Sequence, residues 1–171
     1  MSRRLYAWRP SALSEEIITA LVRKAVDALK RGPHRLFVAE RLYRFGSVAI
    51  DLLEELLETS DNSEIKILAS MVLLQLGSRG GVPCLLDAIV KDDAYVCMAA
   101  MRLAEAGIVE AGDRIVARLR LCELDEFDLI VSLLSALEKL GHEIPKDLRK
   151  RFASDVPWQI CTMLSLPTPT A

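Results

Sequence analysis

Apolar residues recur along this chain at the three- and four-residue intervals of an amphipathic helix, and the same apolar rows return four times. The clearest copy covers residues 64–93, EIKILASMVLLQLGSRGGVPCLLDAIVKDD: a helix, a glycine turn, a second helix and an acidic break. Weaker copies begin at His34, Ala94 and Glu126. The turn glycines Gly46, Gly77, Gly107 and Gly141 are spaced 31, 30 and 34 residues apart. Eight residues before them stand Val38, Ala69, Ala99 and Leu133, and four before them Leu42, Leu73, Leu103 and Leu137. One residue before them stand Phe45, Leu76, Ala106 and Leu140. These offsets share one helix face, so each copy predicts a first helix with a buried stripe. The second helices predict a row of Ala49, Val82, Ala111 and Ile144. Four residues on come Leu53, Leu86, Ile115 and Leu148, and eight on Leu57, Val90, Leu119 and Phe152. Pro83 and Pro145 follow the opening apolar residue, in a first turn where a missing N–H costs nothing.

A longer helix precedes the repeats. Ile17, Leu21, Ala25 and Leu29 recur every four residues, and Ile18, Val22 and Val26 widen the stripe. Ser14 is the expected N-cap, with Glu15 and Glu16 at the positive end of the helix dipole. Gly32, as a left-handed cap, and Pro33 are expected to stop this helix near Arg31. Between repeats, residues 60–63, 91–93 and 123–125 offer short capping side chains, and Asp61 with Glu64 has capping-box spacing. No stretch alternates convincingly as a strand. A single helix pair of about 30 residues cannot bury its own stripe, whereas stacked pairs can. The expectation is one all-α domain: an arm at 1–10, a capping helix at 11–33, four repeats over 34–155, a C-terminal cap at 156–166 and a tail at 167–171.

These units resemble HEAT repeats, most closely the short bacterial kind found in the phycobilisome-lyase group. The likeness is best over 64–93 and 94–125, where a small pair (Ala69 and Ser70, Ala99 and Ala100) precedes a leucine, a glycine turn, an apolar second helix and an acidic cap. The fourth copy departs, with Leu133 and Leu134 in place of the small pair. The arginine often found early in the first helix is absent from the second and third copies, where residues 65–67 and 95–97 occupy that region. The resemblance implies a right-handed α-solenoid of about four helix pairs, capped at both ends, with the second helices lining a concave partner-binding face.

Composition narrows the class. With 51% apolar and 27% charged residues in 171, the chain can bury a real core. Its apolar runs are too short to span a bilayer, and the basic start has no apolar run behind it, so the expected location is the cytosol and no membrane partner is expected. Cys84, Cys97, Cys122 and Cys161 lie within helical patterns and form no C-x-x-C, which reads as core or half-buried thiols and no metal. Net charge is −2, unevenly spread: residues 1–46 hold ten Lys/Arg against four Asp/Glu, and residues 47–143 hold eight against eighteen.

Candidate chemistry is sparse. His34 and His142 each sit beside a turn, away from a nucleophile partner. Gly80-Gly81 precedes a helix but lacks the Lys-Ser/Thr of a phosphate loop. The expectation is a non-catalytic, cofactor-free scaffold that binds a protein. On the second helices the expected contact residues run from acidic to basic: Glu54 and Glu58, then Asp87 and Lys91, then Arg114 and Arg118, then Arg149 and Lys150. A nucleic-acid binder would need a basic face with aromatics, and the acidic first repeat argues against it. A lyase-like assembly subunit is the third reading. Whether the chain works as monomer or homodimer is left open.

Overall fold

The computed structural model describes residues 15–91 and 94–152. The expected arm, the Ser14 cap, the Asp92-Asp93 break, Cys161, the C-terminal cap and the tail lie outside the described residues. Every regular element among the described residues is helical. The nine α-helices among the described residues are α1 (Glu15–Arg31), α2 (Arg35–Leu42), α3 (Ile50–Thr59), α4 (Ser63–Gln75), α5 (Val82–Lys91), α6 (Val96–Glu105), α7 (Ala111–Leu121), α8 (Phe127–Leu140) and α9 (Lys146–Arg151), and a 3₁₀ segment, Tyr43–Ala49, joins α2 to α3.

All four turn glycines carry positive φ: 62° at Gly46, 87° at Gly77, 67° at Gly107 and 64° at Gly141. Three of them close a six-to-one C-cap. The amides of Ser78, Ile108 and His142 donate to the carbonyls of Leu73, Leu103 and Leu137 at 2.9, 2.9 and 3.0 Å. Those acceptors are the leucines four residues before each glycine, and all three are fully buried. One position therefore fills the core and ends the helix. Gly46 differs: its ψ of −145° puts a kink inside the 3₁₀ segment, and α2 is correspondingly short.

Contacts divide the chain into two compact units, Met1–Ser78 and Arg79–Ala171, with the division inside the turn of the second copy. In the first unit α1 packs on α2, on α3 and on the 3₁₀ segment, while α4 packs on α2 and α3. The ion pair of Arg35 with Glu64 ties the starts of α2 and α4 together. α4 is apolar on nearly every side, with Ile65 and all of residues 67–74 buried. In the second unit α5 packs on α6 and α7, α6 on α7 and α8, and α7 on α8. Within each unit, contacts thus join helices that lie one or two apart along the chain, which lets their apolar stripes cover one another.

Several local expectations change. Gly32 is not left-handed; a Cβ there would sit 2.6 Å from the Ala28 carbonyl oxygen, so close approach explains the glycine. α4 is capped by Asn62, whose side-chain oxygen accepts from the Ile65 amide at 3.1 Å, rather than by Asp61. Pro145 is the N-cap of α9 and stands just outside it. Ala106, expected in the buried stripe, is exposed. In α5 the buried residues are Leu85, Ala88 and Ile89, whereas Val90 is exposed and Val82 and Leu86 are half-buried. The true row runs Gly81, Leu85, Ile89, one residue earlier than the apolar pattern indicates. The turn from Gly77 to that row has the same length as the turn from Gly107 to Ala111, Ile115 and Leu119. A glycine carries no hydropathy signal, so Gly81 hid the register.

The caps and core make two stability predictions. Gly107→Ala should cost about 1–2 kcal/mol, because the added Cβ meets nothing within 4 Å and the whole cost is the left-handed backbone. The Ser70 hydroxyl is fully buried without a hydrogen-bond partner, so Ser70→Ala should raise stability by about 1 kcal/mol. Urea denaturation of the two variants checks both signs.

Candidate interaction surfaces

The expected contact residues separate into those that face solvent and those that the fold has used. On α3, Glu58 is exposed. Glu54 is half-buried, and its carboxylate accepts from the Ser78 hydroxyl at 2.8 Å, which fastens α3 to the turn after α4. Asp51 and Glu55 are exposed on the same helix. No basic residue stands in the last turn of α3, and none of Asp51, Glu55 or Glu58 forms an ion pair within the described residues. Like charges three and four residues apart repel, and carboxylates near a helix C-terminus oppose the dipole. α3 therefore keeps an acidic face at a cost to its own stability.

On α5, Asp87 and Lys91 pair with each other at 3.1 Å and stay mostly solvated. That pair satisfies itself and is worth little to the fold. On α7, Arg114 is exposed. Arg118 is buried, with 8% exposure, and so is not the surface residue that its sequence position suggests. Its carbonyl accepts from the Cys122 thiol at 3.4 Å.

The basic end of the second unit is largely committed to structure. Arg120 Nε donates to Asp147 at 3.0 Å, and this hydrogen bond holds the Asp147 carboxyl below its usual range. One guanidinium, that of Arg151, caps the end of α7 by donating to the carbonyls of Leu119, Arg120 and Cys122. Arg149 Nε donates to the Ile144 carbonyl at 3.2 Å. Of the basic residues on α9, Lys146 and Lys150 face solvent. The structural role of Arg151 escaped the sequence reading because its partners are main-chain carbonyls, which every sequence has.

Chemistry-bearing side chains are scattered. Among the described residues no three of His, Cys, Asp and Glu are placed to hold a metal ion. No described helix is long and apolar enough to cross a membrane. His142 lies against the backbone of Gly112, where a Cβ would overlap its ring; its Nε2 is 3.5 Å from Asp113 Oδ1 and its Nδ1 is 3.0 Å from the Glu143 carbonyl. This is a packing contact between α7 and the turn after α8. Cys84 and Cys97 are half-buried and Cys122 is fully buried; all three are free thiols. Burial pushes the Cys122 thiol above its ordinary value, and the nearby Arg118 charge offsets only part of that. Searches against protein-family models, curated proteins and solved structures find no match.

Two measurements check these assignments. Gly112→Ala should destabilise by displacing the His142 ring, and His142→Ala should restore most of the loss in the double variant, a coupling that a denaturation cycle reads directly. Because its folded pKa is raised, Cys122 contributes stability below the ordinary thiol value of 9.0, which is lost as pH climbs through the folded value. At pH about 8, where the folded thiol stays protonated, Cys122 should resist alkylation in the native protein and react on unfolding. The half-buried Cys84 and Cys97 should react first, and peptide mapping distinguishes the three.

Proposed function

We propose that the protein is a non-catalytic binding module of the HEAT-like solenoid type, which holds a protein partner through its second helices. The observation that carries this reading is the acidic face of α3. Asp51, Glu55 and Glu58 are solvent-facing, mutually repulsive and unneutralised within the described residues. A basic partner surface would relieve that repulsion, so the strain of the free protein becomes binding energy in the complex. The repeated helix pairs support the reading, because stacked repeats present a row of side chains from successive second helices along one surface. The scatter of histidines, cysteines and carboxylates supports binding without turnover. Arg120, Arg149 and Arg151 are committed to local partners, and the unneutralised carboxylates of α3 would repel a phosphate backbone.

The test reverses the face. Asp51→Lys, Glu55→Lys and Glu58→Lys together should abolish capture of the wild-type protein's partners from cells that make it. Capture by the wild type should weaken as salt rises, with loss of about a factor of ten between low and physiological ionic strength. A control reversal at the exposed Glu138 of α8 should leave capture intact. The same proteins held equally by the α3 variant at every salt concentration would remove α3 as the contact face.

A further inference from the structure

The first helix carries more apolar surface than the core takes up. Val22, Val26 and Leu29 are buried, but Leu21 and Ile17, on the same wide stripe, are 41% and 47% exposed. Leu21, Ala25 and Ala28 line a separate face of α1, about 100° around the helix from the buried one. Opposite them stand Phe37 and Val38 of α2 and Phe45 of the 3₁₀ segment. Together they form an open, apolar groove of about 530 Å³ within the first unit. Phe37 is 55% exposed, a large aromatic left in water beside the groove.

The rim of the groove is basic. Arg41 and Arg44 line it, and the Arg41 guanidinium sits 4.5 Å from the centre of the Phe37 ring. Lys24 stands three residues after Leu21 and four before Ala28, on the α1 edge of the same face, and is exposed. Among the described residues that line the groove none is acidic; Glu40 stands three residues after Phe37 on α2. We propose that this groove docks an acidic amphipathic helix of a partner protein, with apolar side chains against Leu21, Ala25 and Phe37 and carboxylates against Arg41, Arg44 and Lys24. This site is independent of α3.

Charge selects that occupant over the alternatives. Residues 1–14 of the chain contain Arg3, Arg4 and Arg9 and no carboxylate, so they would crowd like charge onto the rim. Residues 153–171 offer only Asp155. On a second copy, the acidic face of α3 has no exposed large apolar residue to fill the floor, and the acidic, apolar stretch from Leu121 to Asp128 includes a turn rather than one continuous helix face. An acidic helix with aliphatic or aromatic anchors supplies both kinds of contact, which is the helix-in-groove mode of recognition.

The probe is a fluorescent synthetic peptide of about four helical turns, with Leu and Phe on one face and Glu flanking them. Anisotropy titration with the full chain should show saturable binding at low salt. Arg41→Glu with Arg44→Glu should weaken it by about tenfold or more, and Phe37→Ala by at least about fivefold. All three side chains are exposed, and unchanged helical circular dichroism confirms that the variants fold. The same peptide with Glu replaced by Lys should not bind. No binding, or binding indifferent to these variants, overturns the proposal. A photo-crosslinker at position 37 adds a direct reading. Transfer to the peptide supports the site. Transfer to residues 1–14 or 153–171 of the same chain, or to a second copy, overturns it, as does capture by anionic vesicles in place of the peptide. Because α3 is untouched, partner capture in the preceding test is unaffected whichever way this one falls.

Discussion

The structure depends on one small device, a buried leucine four residues before a left-handed glycine. The leucine side chain fills the core while its carbonyl accepts the amide of the residue after the glycine. The glycine supplies the backbone reversal that an L-side chain resists. Helix termination and core registration are thereby set by the same few atoms in α4, α6 and α8. Where the device is altered, the local structure alters with it. Gly46 takes a different ψ, and the first copy has a short α2 followed by a 3₁₀ segment instead of one continuous first helix.

The turn that follows each glycine then sets which residues of the second helix are buried. From the glycine to the central buried residue the count is seven at Leu53 and Leu148 and eight at Leu85 and Ile115. One residue of turn rotates a helix by about 100°, enough to carry an apolar residue out of the core. This is why Val82 and Val90 of α5 lie away from the buried row although both look like core residues. It is also why the side chains that present to solvent on α5 cannot be chosen by spacing alone.

The surfaces divide between charge spent on the fold and charge left over. Arg35, Arg120 and Arg151 hold a carboxylate or main-chain carbonyls, and Glu54 holds the Ser78 hydroxyl. Asp51, Glu55 and Glu58 of α3 and the arginines beside the α1–α2 groove are not used in this way. Both surfaces carry free energy unfavourable to the isolated protein, one as like-charge repulsion and the other as exposed aromatic area. Such surfaces are where a partner gains most by covering them.

The sequence alone determined the all-helical class, the four turn glycines and the buried leucine row, because each rests on local physics: period, cap chemistry and the left-handed preference of glycine. It also exposed the acid-rich composition of α3 and the excess width of the α1 stripe. Only the tertiary structure decided how that stripe divides between core and groove, since periodicity reports an apolar face without its neighbours. It likewise decided that Arg118 is buried, that Glu54 is occupied and that Arg151 caps α7. Those outcomes depend on which elements pack together and on main-chain groups that carry no sequence signature.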